Sequence, residues 1–425
     1  VSTGQIVQTA SSPIEATVRP PGSKSQTIRA LVVSGLAAGT SRLHHPLDAG
    51  DTRAARRSLR ALGVVIDDNA DPWAVTGTAG RLQTAGAPLD AGASGLTARA
   101  LIAMAPLVDG PTTITGRDRL PERPFGGLLE AVRSMGAKVT DTGGRLPVTV
   151  MGFGALTGGE VRVAAGETSQ YLTSVLMAAP LADEPSTITP IGLAGSGGYV
   201  EMTLELMRHF GASVTKSGES YRVEPTGYSG TDVEIEPDAS AAVYPMVAAA
   251  ITKGQVTIEG LGSGSVQPDM EVARVLQQMG CEVTQTADST VVSAPGRSLS
   301  AVDVDLSGCP DGSLAVVVAC LFADGTSRLS GLGSLRFKES DRLAALVSEV
   351  RRLGAGAEAG DDTLTITPAP LRASAVDTHE DHRIAMAFAL VGLVVPGVEV
   401  SDPRVVDKTW PGYWAFLRQL VGNKA

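Results

Sequence analysis

Cysteine is scarce in this chain of 425 residues: Cys281, Cys309 and Cys320 are the full set. They form no CxxC pair and no spacing that suits zinc. That sets aside a zinc module and a disulfide framework, and it fits a reducing compartment. No metal centre or other cofactor is expected. His379 and His382 are close in sequence but have no third histidine or cysteine near them. Long hydrophobic runs are missing as well. The apolar stretches fall short of about 18 charge-free residues, so no membrane span is expected. The opening VSTGQIVQTASSP has neither a basic start nor an apolar run. A signal peptide is therefore not expected, and the cytoplasm is the expected location. A cationic excess is also lacking: 35 Lys and Arg stand against 45 Asp and Glu, for a net charge of −10. Nucleic acid is thereby excluded as the expected partner. Any local cluster of Lys and Arg becomes more informative for the same reason.

What the chain does have is glycine, 49 residues of it, and an internal repeat. A short turn leading into a strand recurs as AGTSRL at Gly39, DGPTTI at Gly110, DEPSTI at Glu184, KGQVTI at Gly254, DGTSRL at Gly325 and PGVEVS at Gly397. A second marker, a glycine closing an amphipathic stretch, falls at Gly63, Gly136, Gly211, Gly280 and Gly354. Between the markers, each unit opens with a helix apolar almost all round, such as RALIAMAPLV or LAVVVACLFA. Such a helix belongs in a core. A strand, an amphipathic helix and two short alternating strands follow, in the order βαβαββ.

Six units of about 70 residues exceed the usual solenoid period of about 20–50 residues. Closure of three units around their buried helices, twice over, fits the length better. The expected fold is α/β, with two similar domains of three units each. The first domain is expected over 22–231. The second is expected over 232–425, completed by residues 1–21, whose strand in QTASSPIEATVRP returns to it.

Chemistry-bearing residues gather at equivalent places in the units. PPGSKSQTIRA sets Lys24, Ser25 and Arg29 beside a glycine turn at a helix start, where backbone N–H groups and the helix dipole favour an anion. It is not a Walker A loop. DAGASGLTARA places Gly95 at the matching point of the second unit, and AGETSQYLTS places Thr168, Ser169 and Gln170 at that of the third. Asp238, Asp311 and the pair His382–Arg383 hold it in the later units. GRDRLPERPFGG carries Arg123, GSLRFKESDRL carries Lys338, Glu339 and Arg342, and DKTWPGYW carries Lys408. Each alone reads equally as a helix cap or a solvated charged loop. EDHRIAMAF is the exception, because charges abutting so apolar a helix are expensive unless paired. Taken together the positions predict a cleft between two domains that binds a ligand with several phosphate or carboxylate groups.

The motifs PPGSKSQTIRA, LPERP, TSQYLTSVLM, SGGYVEMT, EPDASAA, RFKESDRL, DHRIAMAF and DKTWPGYW resemble, in order and along the full chain, the 5-enolpyruvylshikimate-3-phosphate synthases. The resemblance implies an inverse α/β barrel type of fold with the active site in the inter-domain cleft, no cofactor, and a monomer. It implies phosphoenolpyruvate and shikimate 3-phosphate as substrates. Ser25, Arg29, Thr168, Ser169, Ser196 and Lys338 would hold shikimate 3-phosphate, with Ser334 on the same side and Gln170 shared. Lys24, Gly95, Arg123, Arg342, Arg383 and Lys408 would hold phosphoenolpyruvate. Asp311 would take the proton of the 5-hydroxyl and Glu339 would protonate the methylene carbon, with Lys24 and His382 as further catalytic candidates.

Three places depart from the family pattern. Ala93 and Leu96 replace polar residues around Gly95, and Ala100 stands where many members have Pro. The expectation is a shifted Gly95 and weaker inhibition by glyphosate, which competes for that pocket. Ser334 and Ile28 each replace a common Asn. Two alternatives stay open. One is a sister enzyme acting on UDP-N-acetylglucosamine, which usually has a Cys where GRDRLPERPFGG has none. The other is a non-catalytic anion-binding scaffold, which would not need Asp311 and Glu339.

Overall fold

A computed structural model describes residues 4–192, 197–294, 296 and 298–422. The chain divides into two compact units: Gly22–Glu236, called here the N-terminal unit, and Val1–Pro21 with Pro237–Ala425, the C-terminal unit. No helix among the described residues is long and apolar enough to cross a membrane.

The N-terminal unit holds α1 (Lys24–Leu36), α2 (Gly50–Ala61), α3 (Gly95–Met104), α4 (Gly126–Ser134), α5 (Gln170–Ala178) and α6 (Gly197–His209). Its second repeat shows the plan. Strand Leu89–Asp90 runs through α3 into Asp109–Thr115, which it pairs in parallel; α4 then leads to Lys138–Thr140 and Val148–Phe153. Val148–Phe153 lies antiparallel between Asp109–Thr115 and Lys138–Thr140. The parallel pair needs a crossover, and the buried helix supplies it. The third repeat has the same order around Gly159–Ala164 and Ser186–Ile191. In the first, the parallel partner of Thr40–His44 comes from far along the chain: Asp232–Glu234. That pairing holds residues 232–236 in the N-terminal unit, beyond the boundary expected at 231.

The C-terminal unit holds α7 (Ala239–Thr252), α8 (Glu271–Gln278), α9 (Ser313–Cys320), α10 (Arg342–Arg352), α11 (His382–Ala389) and α12 (Tyr413–Gly422). Glu15–Val18 pairs in parallel with Gln255–Glu259, taking the place that Asp232–Glu234 takes in the other unit. The sixth repeat carries a three-stranded sheet, where Gln5–Ile6 lies antiparallel to Glu399–Val400.

The apolar helices form the cores. Every residue of α3, α9 and α11 is buried. In the N-terminal unit each helix packs on the next, and α6 packs back on α1, so the six close a ring. In the C-terminal unit α9 packs on α7, α8 and α11. Burying Val316, Val317 and Val318 on α9 contributes roughly 1.5–3 kcal/mol each. A helix buried on all sides leaves mainly its ends for polar groups, and polar or charged side chains gather at the starts of α1, α5, α7 and α11. The glycines that mark the repeat have a simple cause. Gly63, Gly136, Gly211, Gly280 and Gly354 follow amphipathic helices at φ 94°, 97°, 86°, 98° and 102°. That left-handed stop is cheap only for glycine.

Candidate active site

In the N-terminal unit, α1 and α3 carry buried cations, Arg29 and Arg99, and Arg123 lies beside the start of α3. Ser23 caps α1 by accepting from Gln26 N–H at 3.4 Å. Lys24 Nζ, on the first turn, stands 3.7 Å from the buried Asp51. One turn on, Arg29 is 1% exposed. Its Nε donates to Thr203 Oγ1 at 2.7 Å, and a terminal N–H donates to the Ser25 carbonyl at 3.0 Å. Tyr199 offers its ring face, 5.8 Å from the guanidinium carbon. Arg29 has no carboxylate partner among the described residues. Burial pushes its pKa down to about 10. A buried cation in that state is poised to gain from an anionic ligand.

Gly95 opens α3, with Ser94 as the cap accepting from Thr97 N–H at 3.3 Å. Two guanidinium groups crowd the glycine. A Cβ there would lie 2.5 Å from one terminal nitrogen of Arg99 and 2.8 Å from one of Arg123. Arg99 donates to Gln170 Oε1 at 2.7 Å and lies over the rings of Phe125 and Tyr171. The Nε of Arg123 is buried with no hydrogen-bond partner among the described residues. Thr168 Oγ1 accepts from the Gln170 N–H at 3.2 Å, and Ser169 sits buried at the cap of α5 without using its side chain there. Gly95, Arg123 and Gln170 thus meet around Arg99. Thr168 and Ser169 flank Gln170, while Lys24, Ser25 and Arg29 form a second group on α1. Arg117 and Arg119 pair with Asp90 and Glu122 on the surface, as ordinary charged-loop residues. Ser196 lies outside the described residues.

The C-terminal unit carries a denser cluster. Arg342, at the first position of α10, is 1% exposed. Its Nε donates to Asp381 Oδ2 at 2.7 Å, and its terminal nitrogens donate to Asp311 Oδ1 at 2.9 Å and Glu339 Oε2 at 3.0 Å. Burial alone would lower its pKa; Asp381, Glu339 and Asp311 overcome that and hold it above the ordinary arginine value. Asp311 also faces Arg383, at 2.9 Å, and Lys338 Nζ, at 3.4 Å. Glu339 faces Lys408 Nζ at 2.8 Å. Four cations therefore surround Asp311, Glu339 and Asp381. Behind Asp311 lies Asp269, which accepts from Gly312 N–H at 2.9 Å and from the Ser240 hydroxyl. Burial, and then the nearby Asp311, push its carboxyl above the usual range.

Asp311 does not cap α9; that position belongs to Gly312. Its carboxylate is given to cations instead. Asp341, by contrast, is a cap, accepting from Ala344 N–H at 3.1 Å, and so is Asp238, accepting from Ala241 N–H at 3.2 Å. Arg336 turns away to the carbonyls of Gly360 and Asp361. His382 is buried, its Nδ1 3.5 Å from Asp381 Oδ1. Ser334 sits in the short turn Gly333–Phe337 that precedes Lys338.

Three contributors escaped the sequence reading. Arg99 stands inside the apolar run LTARALIAM, the same signal of a charge forced indoors that marked Arg383. In the sequence Asp381 is only one member of a charged cluster, yet it is the 0% exposed anchor of Arg342 and the cap of α11. Asp269 gave no signal, because its contacts with Ser240 and Gly312 are tertiary.

A family model for EPSP synthase (3-phosphoshikimate 1-carboxyvinyltransferase) matches residues 8–417. The 3-phosphoshikimate 1-carboxyvinyltransferase of Methanoculleus marisnigri is 39% identical over 410 residues, covering 95% of this chain and 96% of that protein. That of Thiobacillus denitrificans is 39% identical over 419 residues, covering 95% and 96%. Among solved structures, EPSP synthase from Acinetobacter baumannii superposes with a TM-score of 0.82 at 24% identity, covering 99% of this chain and 98% of that one. The last likeness is one of fold.

Proposed function

The chain belongs to the EPSP synthase family, and on that premise we propose that it transfers the enolpyruvyl group of phosphoenolpyruvate to the 5-hydroxyl of shikimate 3-phosphate, releasing phosphate. One observation supports this reading above the others. Two carboxylates suited to proton transfer, Asp311 and Glu339, share the single buried guanidinium of Arg342 at 2.9 and 3.0 Å. Asp381 alone would satisfy the buried Arg342; Asp311 and Glu339, with side chains 16% and 15% exposed, are carboxylates beyond that need.

Phosphoenolpyruvate is assigned to Lys24, Gly95, Arg123, Arg342, Arg383 and Lys408. Shikimate 3-phosphate is assigned to Ser25, Arg29, Thr168, Ser169, Ser196, Ser334 and Lys338, with Gln170 serving both. Asp311 accepts the 5-hydroxyl proton. Glu339 delivers a proton to the methylene carbon, and the 5-oxygen of shikimate 3-phosphate bonds to C2. The resulting ketal gives up one proton from its new methyl group and expels phosphate, leaving the enol ether. Protonation at carbon develops positive charge at C2, which nearby carboxylates favour, and the cations offset charge on the departing phosphate. Lys24 and His382 are assigned supporting roles in the same step.

The test is release of phosphate. Purified protein with both substrates should release phosphate, and with either alone it should not; no release with both would sink the proposal. The Gly95 neighbourhood supports a second expectation. Leu96 is buried in the core, as the second residue of α3. Its fit there is proposed to shift Gly95 and weaken inhibition by glyphosate. Leu96→Thr should lower the half-inhibitory glyphosate concentration; ordinary inhibition, unchanged in the variant, refutes it.

A further inference from the structure

Glu349 lies in the middle of α10, fully buried, and the proposed reaction gives it no part. Its Oε1 lies 2.9 Å from His379 Nε2. Its Oε2 accepts from the backbone N–H of Asp377 at 3.0 Å and faces Arg352 Nε at 2.9 Å. The first two contacts grip both sides of one turn. In that turn His379 and Glu380 both take the left-handed backbone, at φ 51° and 58°. Neither is glycine, and two such residues in a row persist only when the surroundings fix them. Within the turn, His379 N–H donates to Asp377 Oδ1 at 2.9 Å and Asp381 N–H donates to the Thr378 carbonyl at 2.8 Å. The next three residues are Asp381, His382 and Arg383.

Two points on α10 therefore hold the same neighbour. Arg342, at its start, holds Asp381, the cap of α11. Glu349, two turns later, holds the strained turn that delivers that cap. We infer that the Glu349–His379 pair positions Arg383, and through it sets the affinity for the phosphate-bearing three-carbon substrate. The inference rests on the reading above, in which Arg383 serves phosphoenolpyruvate. Glu349 and His379 touch no substrate; they act through the backbone of residues 377–381. If the pair is broken, the turn can relax toward ordinary backbone, and Arg383 loses the geometry that places it 2.9 Å from Asp311. Small misplacements of that kind have large effects on a reacting site.

His379 is the better residue to change, since its side chain is 28% exposed and Glu349 keeps Arg352 and the Asp377 N–H when it is gone. The full chain is measured as wild type, His379→Ala and His379→Gln, by steady-state kinetics and by amide hydrogen exchange over residues 377–383. His379→Ala should raise the KM for phosphoenolpyruvate about tenfold. The KM for shikimate 3-phosphate should stay within about twofold, and exchange across the turn should quicken. His379→Gln, which keeps an N–H donor toward Glu349, should recover most of both effects. A merely structural loss would lower kcat with the folded fraction and leave both KM values alone. That outcome overturns the inference, as do unchanged exchange, a rise of both KM values together, or a Gln variant no better than Ala. If wild type itself shows no turnover, the enolpyruvyl reading fails, and exchange alone decides whether the pair holds the turn.

Discussion

Asp311→Asn separates the chemistry of the cluster from its grip on anions. Asparagine keeps the shape of the side chain but cannot take up the 5-hydroxyl proton. A positioned general base contributes about 10²–10⁴ in rate, or roughly 3–5 kcal/mol of barrier. The change also removes one negative charge facing Arg342, Arg383 and Lys338 at 2.9, 2.9 and 3.4 Å. Arg342 stays in place, because it keeps Asp381 and Glu339. The site gains net positive charge, so the affinity for an anionic substrate should hold or rise. Two readouts are needed: kcat from phosphate release, and dissociation constants for both substrates by titration calorimetry. The expected result is a fall in kcat of two to four decades with affinities unchanged or tighter. A kcat within tenfold of wild type, or a loss of binding as large as the loss of rate, would refute the assignment of Asp311 as base.

Arg342→Met tests the buried ion network as a structural element. It strands the 0% exposed Asp381, and breaking a buried pair from one side costs about 3–5 kcal/mol. In a unit of about 210 residues that lowers the C-terminal unit's melting temperature by roughly 6–20 °C in calorimetry, and a drop below about 2 °C contradicts it. Gly95→Ala drives a methyl group into the Arg99 and Arg123 guanidinium groups. It should raise the KM for phosphoenolpyruvate with little change in melting temperature; an unchanged KM means that those side chains simply swing aside. Burial pushes the Cys281 and Cys320 thiols up to about 11 and raises Cys309 as well. Native protein at pH 8 should therefore react slowly with a thiol reagent, and all three should react at once in denaturant. Fast native labelling would show that the cores open readily.

The repeat was legible because its punctuation has a backbone cause. A glycine at φ near 90° after five of the amphipathic helices cannot drift freely in sequence, so Gly63 and its counterparts announce the period. The buried helices were legible from their apolar faces for a related reason. What the local pattern missed is tertiary. Nothing in the sequence near Asp232 announces that its strand pairs with Thr40–His44, almost two hundred residues earlier. Asp311 and Asp341 both precede helices and look alike as caps, yet one caps and the other holds cations. Only the positions of Lys338, Arg342 and Arg383 separate them. Glu349 is the sharpest case, because SEVRRLG reads as a solvated helix face. Its burial follows from the turn packed over it.

The most direct test of the central claim follows one oxygen atom. Phosphoenolpyruvate carrying ¹⁸O in its C–O–P bridge is incubated with shikimate 3-phosphate and the purified protein, and the products are read by mass spectrometry and ³¹P NMR. Addition at C2 followed by expulsion of phosphate breaks the C–O bond. The label should appear in the released phosphate, and the enolpyruvyl group should appear on the 5-oxygen of shikimate 3-phosphate. Label retained in a pyruvate product, with no enol ether formed, would contradict the account.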